Sequence, residues 1–150
     1  MKLKILFFLI SIITLPCFSM IKKNSFYSLS EKLAYEYFEK ALFYYKSGDI
    51  FLAFKYYVKA SDADKKILGF NDNGIVKNAI TFFRKKLLKN PLDIESRYYF
   101  AKAKEINGDM KTALHEYKKL IKNFSNSIYA RLSWEQINRY LFINTLNLVR

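Results

Sequence analysis

Histidine and cysteine are nearly missing from this chain, which has one of each in 150 residues. A disulfide framework needs paired cysteines and a structural zinc site needs about four His or Cys ligands, so both are excluded. Any nucleophile–histidine system would have to be built on His115 alone. Glycine and proline are scarce too, at four and two. A β-rich fold needs turn residues about every 8–12 positions, which this chain cannot supply. No glycine-rich phosphate loop is present. Acidic residues are in deficit, 13 against 26 Lys and Arg, leaving a net charge of +13.

What the chain does have begins with an apolar run. Lys2 and Lys4 precede the run over residues 5–15, and Pro16, Cys17, Phe18 and Ser19 follow it. A basic start, an apolar core of about 7–15 residues and a small-residue exit describe a secretory signal peptide. Cleavage after Ser19 places Cys17 and Ser19 at the two small-residue positions. Two alternatives stay open. The run can extend through Ile21 as an uncleaved anchor, although a span needs about 20 residues. Alternatively, Cys17 serves as a lipid-attachment site. Residues 1–19 are therefore read as the signal or anchor, 20–30 as a linker, and 31–147 as the folded domain. All three readings export the chain, which removes nucleic acid as the natural partner of its charge. A cytosolic nucleic-acid binder with a misread N-terminus is the remaining form of that idea. The surplus is mostly lysine in a chain also rich in Asn, Ile and Phe, so compositional drift in an AT-rich genome explains part of it.

Beyond residue 30 the apolar pattern has a helical period. Leu33, Ala34, Tyr37, Phe38, Ala41, Leu42 and Tyr45 recur at steps of three and four, with Ser30 as the expected cap. Lys46-Ser-Gly-Asp49 breaks this stripe. Ile50, Ala53, Phe54, Tyr57 and Ala60 form a second stripe, and Val76, Ala79, Ile80, Phe83 and Leu87 a third. Asn90-Pro91 stops that one, because the residue before proline avoids helical angles. Tyr98, Ala101 and Ile106 mark a fourth helix after Asp93, and Ala113, Leu114, Tyr117, Leu120 and Ile121 a fifth after Asn107-Gly-Asp109. A last segment runs from Ile128 to about Leu146.

An internal repeat organises these helices. Three times a glycine is followed five residues later by Ala and four later by an aromatic: Gly48/Ala53/Tyr57, Gly74/Ala79/Phe83 and Gly108/Ala113/Tyr117. Gly74 and Gly108 are 34 residues apart, Gly48 and Gly74 only 26, and Pro91 lies eight after Phe83. This spacing resembles the tetratricopeptide repeat, whose helix–turn–helix unit has 34 residues. The segment from Ile94 to Tyr140, with Leu120-Ile-Lys-Asn-Phe-Ser-Asn-Ser127 and Ala130, is similar to repeats of bacterial outer-membrane assembly lipoproteins and periplasmic cell-division coordinators. Ser125 stands where that subgroup has proline, and Arg97 where it has a large aromatic. The resemblance implies an all-α, short right-handed α-solenoid with two full repeats, 34–67 and 94–127. The eight residues missing between them must come from the middle repeat's first helix, which has to fit within residues 62–70. Residues 128–147 serve as the capping helix.

The resemblance also implies a function. In this family the first helices build a concave face, and repeat positions two, five, nine and twelve point into it. These are Tyr35, Phe38, Leu42 and Tyr45 in the first repeat and Glu95, Tyr98, Lys102 and Glu105 in the last. The expected binding residues are Tyr35, Phe38, Leu42, Tyr45, Tyr98 and Lys102, with a peptide or helix of an envelope protein as partner and the periplasm or a membrane as location. The alternative is that Phe38, Leu42 and Tyr45 pack under the chain's own residues 22–29. A different use of the fold is docking to anionic membrane or cell wall through Arg84, Lys85, Lys86, Lys89, Lys118, Lys119 and Lys122 on the second helices. No catalytic, metal or cofactor residues are expected, and the chain is read as non-enzymatic. His115 reads as a surface residue, Asp62 and Asp64 as helix caps, Asp72-Asn-Gly74 as a plain turn, and Trp134 as packing within the cap.

Overall fold

The computed structural model describes residues 28–148 except Asn71. The expected export signal, Cys17 and residues 22–27 of the self-packing alternative lie outside the described residues. Among the described residues six α-helices follow one another: α1 (Leu29–Lys46), α2 (Ile50–Ala63), α3 (Ile75–Lys89), α4 (Ile94–Ile106), α5 (Met110–Asn123) and α6 (Ile128–Leu148). A five-residue 3₁₀ helix, Lys65–Gly69, lies between α2 and α3, and no strand occurs among the described residues. Helices adjacent in sequence pack on one another, which gives an all-α repeat solenoid.

The helix ends follow from local chemistry. Ser28 caps α1, two residues before the expected Ser30. Its hydroxyl accepts from the Glu31 N–H, while the Glu31 carboxylate accepts from the Ser28 N–H, a reciprocal pair that only Ser28 has in register. Asp49 caps α2 through Leu52 N–H, Asp93 caps α4 through Ser96 N–H, and Asp109 caps α5 through Thr112 N–H. The turns after α1 and α4 use the same hydrogen bonds. Gly48 N–H donates to Tyr45 and Asp49 N–H to Tyr44, as Gly108 N–H does to Glu105 and Asp109 N–H to Lys104. Gly48 and Gly108 adopt φ of +85° and +84°, the left-handed conformation this closure requires. Gly74 has another role, preceding α3 as its N-cap residue. There the Asp72 carboxylate accepts from Gly74 and Val76 N–H groups, which makes the Asp72-Asn73-Gly74 segment a capping turn.

Small residues let the paired helices close up. Ala41, Ala53, Ala79, Ala101 and Ala113 are fully buried. Tyr57, Phe83 and Tyr117, the aromatics of the three in-phase sets, are buried beside them. Two apolar cores result. One joins α1, α2, the 3₁₀ helix and α3, and the other joins α4, α5 and α6. Helix α4 belongs to both, with Phe100 and Ala103 in the first and Tyr98 and Ala101 in the second. A line of ring contacts crosses the boundary. Phe54 meets Phe83 edge-on at 5.9 Å, Phe83 stacks on Tyr99 at 5.9 Å, and Tyr99 touches Tyr98 at 5.4 Å. Tyr98 then reaches Tyr117 at 6.1 Å and Tyr129 at 5.4 Å.

The eight-residue deficit falls where the spacing placed it. Residues 62–70 contain the end of α2 and the 3₁₀ helix, so the middle pair has no full first helix. Ile67 and Phe70 nevertheless reach α1, with Phe70 5.5 Å from Tyr35 and 5.8 Å from Phe38.

Candidate functional site

The six expected groove residues divide into two groups. Phe38, Tyr98 and Lys102 are buried, with Lys102 only 3% exposed, and so are not open to a partner in this conformation. Tyr35, Leu42 and Tyr45 are half-buried. The reason lies in the neighbouring elements. Phe38 sits between Phe70 and Tyr57. The Tyr45 hydroxyl accepts a hydrogen bond from the Asn78 amide of α3. Tyr98 is enclosed by the rings of Tyr117 and Tyr129, and Lys102 by side chains from α2 and α6. The chain does fill part of its own groove, using Ile67 and Phe70 of the 3₁₀ segment. Leu29, from the segment expected to do so, is 84% exposed.

Among the described residues a cleft of about 190 Å³ lies between α1 and the 3₁₀ helix. Ala34, Tyr35, Ile67 and Phe70 supply its apolar wall, and Glu31, Asp64 and Lys66 stand around it. Lys66 Nζ donates to Glu31 Oε1 at 2.7 Å. This bond, with the N–H of Ser28, holds the Glu31 carboxyl below its usual range, and Glu31 in turn raises the Lys66 ammonium. Asp64 caps the 3₁₀ helix through Lys66 N–H, as its sequence position suggested. A smaller cavity of about 100 Å³ lies between α4, α5 and α6, against Glu105, Met110, Tyr117, Gln136 and Tyr140.

Two polar networks inside the array had no counterpart in the sequence reading. In the first, Lys102 Nζ lies 3.8 Å from Asp62, 3.5 Å from Glu105 and 3.3 Å from the Gln136 amide oxygen. Asp62 is therefore an ion-pair partner and not a cap. Tyr117 donates its phenol to Glu105 at 2.6 Å, and burial followed by the Glu105 charge pushes that phenol far above its ordinary range. In the second network, Arg97 bonds Glu116 of α5 and the Pro91 carbonyl. Lys119 also bonds Glu116, at 2.9 Å. Burial pushes the Glu116 carboxyl up, but Lys119 and Arg97 outweigh it and hold the group below its usual range. The available signal was charge at an inward helical register: Lys102 stands between two buried alanines, and Glu116 directly before the buried Tyr117.

The lysines of the second helices face outward, as expected. Arg84, Lys85, Lys86 and Lys89 on α3 and Lys118 and Lys122 on α5 are exposed, while Lys119 is half-buried on Glu116. Helix α3 has five cations and no anion, and α5 four cations against Glu116, so these two helices contribute eight of the thirteen surplus charges. His115 is exposed among the α5 lysines. Trp134 departs from expectation: it is 59% exposed, because α6 turns Ser133 and Gln136 inward instead.

Among the described residues no group of His, Cys, Asp and Glu is placed to hold a metal ion. No described helix is long and apolar enough to cross a membrane. Comparisons of the chain with protein-family models, curated proteins and solved structures find no match.

Proposed function

We propose that this chain is a tetratricopeptide-like interaction scaffold, exported to the bacterial cell envelope, that binds a peptide or helix of a partner protein and performs no catalysis. The observation that carries this reading is the cleft beside the shortened middle pair. A cavity of about 150 Å³ can hold a benzene ring, so 190 Å³ suits one aromatic or leucine anchor of a partner. Tyr35 and Phe70 offer ring faces to such an anchor, and Glu31, Asp64 and Lys66 offer charged groups that fix its approach. Recognition by one buried anchor within a polar rim is the usual economy of a peptide groove. Of the expected binding residues, Tyr35 stays in this role. Phe38 backs the cleft through its contact with Phe70, whereas Tyr98 packs in the second core and Lys102 in the polar network with Asp62, Glu105 and Gln136.

The test is site-specific photocrosslinking in the native envelope. A photoreactive residue at position 70 should give a discrete adduct, whereas one at exposed Glu36 on the outer side of α1 should not. The position-70 adduct should disappear in Tyr35→Asp, with far-UV circular dichroism unchanged. Equal adducts from both positions, or none from position 70, would remove the cleft as the binding site.

A further inference from the structure

The outer strip of α3 is an independent surface, on the opposite face of that helix from its buried Val76, Ala79 and Phe83. Lys77, Thr81, Arg84, Lys85 and Leu88 recur at three- and four-residue steps, and all are exposed. Lys89 continues the strip at the helix end, and Leu92 stands just beyond it. No ion pair among the described residues ties Lys77, Arg84, Lys85 or Lys89, and α3 has no acidic residue to offset them. Leu88 and Leu92 are 78% and 71% exposed, in the midst of these cations.

From this arrangement we infer that α3 docks the protein on an anionic lipid bilayer, with Leu88 and Leu92 entering the headgroup boundary and Arg84, Lys85 and Lys89 contacting lipid phosphates. Positive charge alone would suit any polyanion. The two leucines decide between partners, because a soluble polyanion leaves them in water while a bilayer interface accepts both side-chain types at one depth. The cationic stems suit the same depth, lying along apolar surface with their charged ends among the headgroups. Near an anionic surface each basic residue strengthens binding roughly fivefold, so three together contribute roughly a hundredfold. The other basic helix, α5, has exposed Lys111, Lys118 and Lys122 but no exposed apolar side chain beside them, so the strip on α3 is the one built for a bilayer.

The experiment uses the full chain with Cys17→Ser, and Leu88→Cys labelled with an environment-sensitive nitrobenzoxadiazole dye. The dye reads the depth of one position, so attachment through another part of the chain does not imitate the result. With phosphatidylglycerol–phosphatidylcholine vesicles its emission should shift to the blue and resist an aqueous quencher. With phosphatidylcholine alone it should not. Arg84→Gln with Lys85→Gln and Lys89→Gln should weaken the response by about a hundredfold in lipid concentration at unchanged helicity. The same dye at exposed Ser47 should stay in water. The inference is overturned if the dye at position 88 stays in water on anionic vesicles, responds equally to both lipids, or responds no more than the dye at 47. Binding of inorganic polyphosphate without a dye shift on vesicles would assign the strip to a soluble polyanion and overturn it equally.

Discussion

Lys102 joins three helices through one ammonium group, touching Asp62 of α2, Glu105 of its own helix and Gln136 of α6. Its removal leaves carboxylates that were arranged around a cation. Lys102→Ala should lower unfolding stability by about 3 kcal/mol, toward the small end for a broken buried pair because Asp62 is half exposed. Urea denaturation will read this as a lower midpoint, and an unchanged midpoint would show the network to be idle. Glu116 gives a pH signature. Its carboxyl titrates lower in the folded chain than in the unfolded one. The associated stability is therefore fully present above the unfolded value of about 4.3 and is lost as pH falls through the lower folded value. Glu116→Gln should flatten the acid limb of the stability curve below about pH 4.5, with little change of slope above it. A limb of unchanged steepness would place the acid sensitivity elsewhere.

Helix ends allow a controlled comparison, because α1 and α4 close with identical hydrogen bonds sixty residues apart. At both Gly48 and Gly108 an added Cβ would meet open space, so only the left-handed backbone conformation is at stake. Gly48→Ala and Gly108→Ala should each cost about 1 kcal/mol, and the two losses should agree closely. Unequal thermal shifts would mean that the turns differ in ways their geometry does not show. Much of this was readable beforehand because it rests on local chemistry: Asp93 as a helix start, Pro91 as a stop, and glycine at a left-handed turn, although the caps expected at Ser30 and Asp62 are not the ones used. Even the lost helix was readable, from a spacing of 26 where 34 was due. The groove was not, because exposure is decided by what packs across from a residue. Nothing near Phe38 in sequence announces Phe70, and nothing near Tyr98 announces Tyr129. Lys102 misled for a related reason. Charge at an inward position is read as groove unless its partners, here 40 residues before it and 34 after, are known.

Helix α4 is shared by the two cores, and the tyrosines buried in them set an alkaline limit. Burial and then Asp72 push the Tyr57 phenol to about 12, and burial with Glu95 and Asp62 does the same for Tyr99. Tyr98 and Tyr117 are raised further, chiefly by burial. A phenol with a raised folded value supports the fold fully below its unfolded value of about 10, and that support is lost as pH rises toward the folded value. Near-ultraviolet titration should therefore show a late tyrosinate step that coincides with loss of helix in circular dichroism. A late step without loss of helix would mean that the core rings ionise in place.

The shortened middle pair also makes chain length a design variable. Inserting eight helix-forming residues after Asp64 would restore the 34-residue spacing between Gly48 and Gly74 and let a full helix replace the 3₁₀ turn. That helix would occupy the cleft now bordered by Tyr35 and Phe70, and the longer protein should melt at a higher temperature while losing the position-70 adduct. In engineering terms the short spacing is a trade: a slot on the surface in exchange for a helix in the stack, reversible by a single graft.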